Sequence, residues 1–354
     1  MKVLLLGAGR VGEAVADVLA GNDDFALTIA DCDGERLAAV KDHGTPCLAL
    51  DVTNEIELDK AMRGVDTVIS ACPNYVDTAI AKVAGSLGKH YFDLSEDRDS
   101  SAEVRSLIGD NAACVTQCGI SPGFVAIVAQ ELASRLGAPL DITVRVGAIP
   151  LYPSNRMKYN VTWNVDGLFS EYTAPCQALR EGALTSLQPL EGKSTFSLDG
   201  EEYESFNTAG GLGTLCETFT GHARNVTFKT IRYPGHLEMI RFLMDDLGMR
   251  RRRDLFKTVL ENGVPVTEQD VVLIYVTVTG MRNDRLTEEN YVKKIYNGDV
   301  MNRKRSAIGT ASAAAVCTMV DLLREGKLPP KGFVRQEDVA LADFLANRFG
   351  KAFA

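Results

Sequence analysis

The sequence lacks an excess of positive charge: 38 Lys and Arg stand against 47 Asp and Glu, a formal net charge of −9 with an isoelectric point near 5.1. A nucleic-acid partner would require a basic face. The run Arg250 to Arg253 is the local exception, and it is expected as a solvated helix end or an oligomer contact. Cysteines in paired, metal-like spacing are also missing. Cys114 and Cys118 come nearest to it, while Cys32, Cys47, Cys72, Cys176, Cys216 and Cys317 are scattered. This predicts reduced core thiols, no bound metal and a cytoplasmic setting. No apolar run approaches the length that spans a bilayer, and the chain opens on a strand rather than a charged leader, so neither membrane insertion nor secretion is expected. What is present is an ordinary globular composition, 45% hydrophobic over 354 residues, enough for about two domains.

The first third alternates short apolar strands with amphipathic helices. Strands are predicted at Lys2 to Leu6, Ala26 to Ala30, Pro46 to Leu50, Thr67 to Ser70, Tyr91 to Leu94 and Ala113 to Gln117, with a helix over about Val11 to Leu19. Strand and helix in alternation imply a parallel, doubly wound sheet. Between the first strand and its helix lies GAGRVG, with Gly7, Gly9 and Gly12 in dinucleotide-binding spacing and Asp31 at the end of the second strand. Gly7 permits the tight turn, Gly9 lets backbone approach a pyrophosphate, and Gly12 allows close helix packing. The helix N-terminus, entered through Arg10 and Val11, then holds the phosphates. Asp31 can accept from the ribose hydroxyls and would repel a 2′-phosphate, which predicts NAD over NADP. Arg10 is the opposing feature, since it could reach a phosphate.

From about Ile142 the rhythm changes to alternating strands at Ile142 to Val146, Val226 to Ile231 and Val271 to Gly280, the pattern of a sheet with two unlike faces. The small-residue segment Thr310 to Arg324 reads as a helix returning to the nucleotide domain. The predicted organisation is α/β: a Rossmann doubly wound parallel-sheet domain over 1–120 plus 305–354, with an inserted α+β substrate and oligomerisation domain over 121–304.

Further motifs run along the chain: DVT at Asp51 to Thr53, SACP at Ser70 to Pro73, YFDLSED at Tyr91 to Asp97 and GISPGF at Gly119 to Phe124. They continue with YNVTWNVDGLFSEYTAP at Tyr159 to Pro175, TAGGLGTLCETF at Thr208 to Phe219 and TIRYPGHLE at Thr230 to Glu238, of which the last two are specific. With GAGRVG, and over nearly the whole chain, they resemble the saccharopine dehydrogenase superfamily, in particular its short branch that includes NAD-dependent lysine 6-dehydrogenase. That resemblance implies oxidation or reduction of an amino-acid C–N bond with a nicotinamide cofactor. It also implies a substrate placed between a Rossmann domain and an inserted α+β domain, and a homodimer or tetramer in which Val271 to Gly280 could pair across the subunit contact.

Loops leaving the C-terminal ends of parallel strands line the ligand crevice. This places Asp51 and Val52, then Cys72 and Pro73, along the cofactor, and turns Tyr75 and Asp93 toward substrate. A helix cap for Asp93 and a domain seam for Tyr75 are the competing readings. Tyr159 and Trp163, the one tryptophan, divide between core and substrate wall.

In KTIRYPGH, Lys229 to His236, Pro234 and Gly235 break a strand, and Leu237, Ile240, Leu243 and Leu247 repeat at helical spacing after it. His236 then falls in the first helical turn, where the macrodipole favours a neutral ring able to take a proton. Arg232 can grip an α-carboxylate in bidentate fashion, or pair structurally with a carboxylate such as Glu238. His43, His90 and His222 have weaker claims. The expected activity is oxidative deamination of the 6-amino group of lysine to the semialdehyde, with Asp93 or His236 carrying the proton. One alternative is a saccharopine-type enzyme acting on a secondary amine, with Arg156 or Lys158 as a second carboxylate clamp. The other is a non-catalytic nucleotide-binding regulator.

Overall fold

The structure is a computed structural model that describes residues 1–41, 44–300 and 303–354, so His43 lies outside the described residues. The chain forms two compact units, one of Met1–Ile127, Asp299–Arg303 and Gly309–Ala354, the other of Val128–Gly298 and Lys304–Ile308.

In the first unit, β1 (Lys2–Leu6), β2 (Ala26–Asp31), β3 (Cys47–Ala49), β4 (Thr67–Ser70), β5 (His90–Asp93) and β6 (Ala113–Val115) build a parallel sheet. Its order is Gly332–Phe333, β6, β5, β4, β1, β2, β3. Strand β1 is central, and Val3 to Leu6 are each at most 1% exposed, which is why it reads as an unbroken apolar run rather than an alternation. The order reverses between β1 and β4, the switch point at which doubly wound sheets take ligands. The chain's last segment belongs to this unit too: Gly332–Phe333 extends the sheet edge beyond β6, and the Phe344 and Phe353 rings lie 5.0 and 4.3 Å from that of Phe124. Helix Ala307–Arg324 is long and apolar enough by composition to cross a membrane, contrary to the expectation that no apolar run approaches that length. With 78% of it buried in the structure, it is a core helix.

The second unit holds β7 (Gly137–Pro150), β8 (Cys176–Arg180), β9 (Ala183–Leu187), β10 (Ser194–Leu198), β11 (Glu201–Asn207), β12 (Ala223–Arg232), β13 (Asp270–Arg282) and β14 (Arg285–Tyr296). They form one mixed sheet in the order β10, β11, β12, β7, β13, β14, with β8 and β9 continuing from β12. The stretch Val271 to Gly280 lies inside β13, paired with β7 on one side and β14 on the other. It therefore has no free edge for a partner, contrary to the expected subunit pairing; β14 is the edge strand. Helices Val165–Thr173, His236–Arg241 and Arg253–Gly263 bury Leu168, Leu237, Ile240, Phe256 and Leu260 in one apolar cluster with Tyr159 and Phe206.

The helix predicted from Leu237 through Leu247 is interrupted. After Arg241 the chain makes a π-helical turn, Phe242–Asp246, and the extra residue per turn rotates Met244 into the core and leaves Leu247 48% exposed. The arginine run folds back on its own unit: Arg250 pairs with Asp245 at 2.8 Å, and Arg253 with Asp166 at 3.0 Å.

Candidate active site

Each unit carries one polar cluster built by the predicted motifs. In the first, Gly7 adopts φ +97°, and a Cβ there would stand 2.7 Å from the Ala71 carbonyl oxygen; one on Gly12 would collide with the Gly7 carbonyl. Gly9 differs, since a Cβ on it would meet nothing within 4 Å. Gly9 caps helix Arg10–Ala20, so open space lies beside a helix N-terminus whose first N–H groups have no intrahelical partner. These residues fit a dinucleotide pyrophosphate. Asp31, 7% exposed, accepts from Ala8 N–H at 2.7 Å and Asp33 N–H at 2.8 Å, one bond on each oxygen. Each oxygen keeps a lone pair for a ribose hydroxyl. Exposed Arg36 lies 4.0 Å from the same carboxylate, at the place where a 2′-phosphate would be accommodated. Arg10 and Pro73 are exposed, and Val11, Val52 and Cys72 partly buried. Burial pushes the Cys72 thiol up to about 12, so it remains protonated. Asp51 accepts from both the backbone N–H and the hydroxyl of Thr53, at 2.9 and 2.7 Å, and so closes the turn before helix Glu55–Arg63. Tyr75 is 79% exposed.

Asp93 ends β5 and is 1% exposed. Its Oδ1 accepts from Gln117 N–H at 2.7 Å and Ser95 N–H at 3.1 Å, and its carbonyl accepts from Cys118 N–H at 2.8 Å. The carboxylate thus braces the turn at Gln117, which holds φ 62°. Asp93 Oδ2 and the Tyr91 hydroxyl, two residues back on the same face of β5, are both buried, with the carboxyl and the phenol as each other's side-chain neighbours. Asp77, also 1% exposed, accepts from Ser70 Oγ at 2.7 Å, and Ser70 is the β4 residue opposite Asp93. Burial lifts Asp93 to about 6; burial and the Asp93 charge lift Asp77 to about 8.

A buried acid whose folded pKa is raised contributes stability below its unfolded pKa and loses it as pH rises through the folded value. Asp77→Asn keeps an acceptor for Ser70 and removes the ionisation. Its melting temperature is therefore expected to fall less between about pH 4 and 8 than that of the wild type. Parallel melting curves over that interval would refute the buried acid.

In the second unit, three hydrogen bonds form a chain. Arg232 Nε–H donates to the Tyr172 hydroxyl at 3.2 Å, and Tyr172 Oη lies 3.0 Å from His236 Nε2. His236 Nδ1 lies 3.0 Å from the Met157 carbonyl. A carbonyl only accepts, so Nδ1 carries the proton and Nε2 accepts from Tyr172. Arg232 Nη1 also donates to the Ile231 carbonyl at 2.9 Å, and its guanidinium lies 5.4 Å from the Tyr159 ring centroid. Its ion-pair partner is Glu171 at 3.6 Å, rather than Glu238, which pairs with Arg241.

His236 is neutral as expected, but for a different reason. Burial and the Arg232 charge push it down to about 3; its helix, His236–Arg241, has only six residues. With 0% exposure and both ring nitrogens engaged, it orients Tyr172 and Arg232 and has no open nitrogen for substrate. Tyr159, 1% exposed, packs its ring 5.2 Å from that of His236. Trp163 sits at the margin of the apolar cluster against Gly167. Sequence reasoning missed Tyr172, Glu171, Asp77 and Tyr91. The adjacent acid and phenol in SEYTAP were the one available signal for the first two.

Residues 3–117 match the family model described as the saccharopine dehydrogenase NADP binding domain, and residues 119–351 match the saccharopine dehydrogenase C-terminal domain. The chain belongs to the saccharopine dehydrogenase family. Its first unit is accordingly a nucleotide-binding domain, as the glycine geometry requires. Among similar proteins, saccharopine dehydrogenase [NADP(+), L-glutamate-forming] of Saccharomyces cerevisiae is 25% identical over 264 residues, 70% of this chain and 58% of that protein. The mitochondrial alpha-aminoadipic semialdehyde synthase of Bos taurus is 22% identical over 316 residues, 83% of this chain and 33% of that one. The chain thus spans less than three fifths of the length of the two yeast relatives it matches. The fold is also that of apo saccharopine dehydrogenase (L-Glu forming) from S. cerevisiae, with a TM-score of 0.80 at 18% identity, covering 97% of each chain. DAP dehydrogenase of C. glutamicum follows at 0.54 and 13%, covering 99% of this chain and 97% of that one.

Proposed function

We propose that this saccharopine dehydrogenase family member is an NAD-dependent amino-acid oxidoreductase that oxidatively deaminates the 6-amino group of lysine, giving the semialdehyde and ammonia. The observation that carries this reading is Arg232, a guanidinium 3% exposed and oriented by Tyr172, His236 and Tyr159. It is the one Lys or Arg that is buried among the described residues. A single buried cation suits a substrate with a single carboxylate. When bound, the dinucleotide supplies the hydride acceptor.

The protein's own work is to clamp the substrate and move a proton. Arg232 presents its remaining N–H groups to the α-carboxylate. The reacting amine must be neutral, and Asp93 is the proton acceptor: Oδ1 stays bound to backbone N–H groups, the carboxyl has the Tyr91 hydroxyl as its side-chain neighbour, and a group raised to about 6 is poised for proton exchange near neutrality. The same carboxyl then serves water attack on the substrate imine.

One observation favours a second reading. Exposed Arg156 and Lys158 flank Met157, whose carbonyl holds His236, so they offer a further clamp for saccharopine, which carries more carboxylates. The two readings separate when lysine, saccharopine, ornithine and carboxynorspermidine are each supplied with NAD and NADP, and NADH absorbance and ammonia are followed. Ammonia released from lysine supports the first. Glutamate released from saccharopine, with lysine inert, rejects it.

Cofactor choice has its own test. The S. cerevisiae relative named above is NADP-linked by name, and exposed Arg36 could serve a 2′-phosphate, yet the Asp31 carboxylate at the end of β2 opposes one. Asp31→Ser is expected to shift preference from NAD toward NADP by about 1–3 kcal/mol, the loss of a charged hydrogen bond. A ratio of kcat/KM values for NAD and NADP unchanged from wild type would overturn the NAD assignment.

A further inference from the structure

Glu171 is a half-buried carboxylate, 15% exposed, whose Oε2 is itself shut off from solvent. It lies in the last turn of helix Val165–Thr173, where the negative end of the macrodipole opposes a carboxylate, and burial pushes it up to about 7 despite the Arg232 charge beside it. Its Oε2 is 3.6 Å from Arg232 Nη2, too long for a hydrogen bond, and has no other partner. If Glu171 served only to neutralise Arg232, a closed hydrogen-bonded pair would be the stable arrangement. A neighbouring segment carries another buried polar atom without a partner, Thr208 Oγ1, a hydroxyl just before Ala209, whose N–H donates to the Glu171 carbonyl. A buried carboxylate oxygen left open in this way requires a donor, and Glu171 Oε2 is the one beside the Arg232 guanidinium.

We propose that Glu171 is the specificity-determining residue that receives the α-ammonium group of the substrate, so that Arg232 and Glu171 together read the zwitterionic head of a free α-amino acid. The carboxylate meets the guanidinium, and the ammonium donates to the bare Oε2. Each charge on the protein then gains a charge-assisted hydrogen bond that the 3.6 Å pair does not make. The inference rests on the amino-acid reading above and sharpens it. An ω-amino acid without the α-amino group, such as 6-aminohexanoate, would leave Glu171 unpaired and bind weakly, as sites with unfulfilled polar groups discriminate against analogues that lack the matching donor, whereas cadaverine keeps that amine and lacks only the carboxylate.

The test uses the full chain with four probes: L-lysine, L-norleucine, 6-aminohexanoate and cadaverine. Glu171→Gln is expected to weaken binding of lysine and norleucine by about 10- to 100-fold while changing that of 6-aminohexanoate less than about twofold. Glu171→Asp, which keeps the charge, should recover part of the loss. Because Gln leaves the buried Arg232 without its carboxylate partner, the variant is compared at equal foldedness by its melting temperature, and the unchanged 6-aminohexanoate binding separates a ligand role from a structural one. Equal weakening toward lysine and 6-aminohexanoate, or a lowered melting temperature with unchanged norleucine binding, would overturn the inference while lysine turnover left the functional reading standing. Norleucine binding that depends on Glu171, in a protein that does not oxidise lysine, would support the inference and reject the lysine reaction. Binding of neither α-amino acid would reject both.

Discussion

Arg232→Ala is expected to raise the KM for lysine by about 100-fold or more while leaving that for cadaverine within a few-fold, because a carboxylate clamp acts only on substrates that carry the carboxylate. The magnitude follows from a charge-assisted, bidentate contact made away from water, about 2–4 kcal/mol. Structure sharpens the control. Without its guanidinium, Glu171 loses the one positive charge beside it, so the variant must be compared at equal foldedness by its melting temperature. Arg232→Lys keeps a charge but loses the planar fork and the Nε–H that meets Tyr172, and should fall between the two. If Arg232→Ala instead raises the KM for cadaverine as much as for lysine, the guanidinium shapes the pocket and does not bind the carboxylate.

The first unit was far more legible in the sequence than the second, for reasons visible in particular residues. Strands β1 and β4 lie where the apolar runs put them, because a parallel strand covered on both faces has no solvent side to blur its pattern. Gly7, Gly9 and Gly12 declared their roles through spacing, since the constraint on each is local: a positive φ, an open face and a close carbonyl. In the second unit β7 runs for 14 residues where five were predicted, since its outer half follows sheet pairing more than hydrophobicity. Strand β14, RLTEENYVKKIY, is polar enough to pass for a loop and is held by twelve register pairs with β13. The Arg232 cluster shows a second limit. That Arg232 and His236 lie close was readable; that Tyr172 stands between them was not, because it comes 60 residues earlier on another element. His236 likewise offered a proton-carrying ring to the sequence, and only its two occupied nitrogens assign it to orienting Tyr172.

That difference favours Asp93 over His236 as the proton carrier of the proposed reaction. Asp93→Asn is expected to lower kcat by about a hundredfold to ten-thousandfold with cofactor affinity intact, the usual loss when a general base is removed. The fold should persist, because the Asn side-chain oxygen can still accept from Gln117 and Ser95 at the position of Oδ1. In the wild type the base must be ionised to take a proton, so kcat/KM should fall as pH drops below about 6, and this limb should vanish in the variant. His236→Asn should behave differently. It breaks the chain that orients Arg232, so it should raise the KM for lysine, lower kcat less than Asp93→Asn does, and leave the acid limb in place. A limb that survives in Asp93→Asn and disappears in His236→Asn would reverse the assignment. It would require that ring to give up the Met157 or Tyr172 contact during turnover, against a burial that holds its pKa near 3. Asp93 can take the proton without giving up its bonds to Gln117 and Ser95 N–H, since both of those fall on Oδ1 and only the Tyr91 hydroxyl neighbours the carboxyl otherwise.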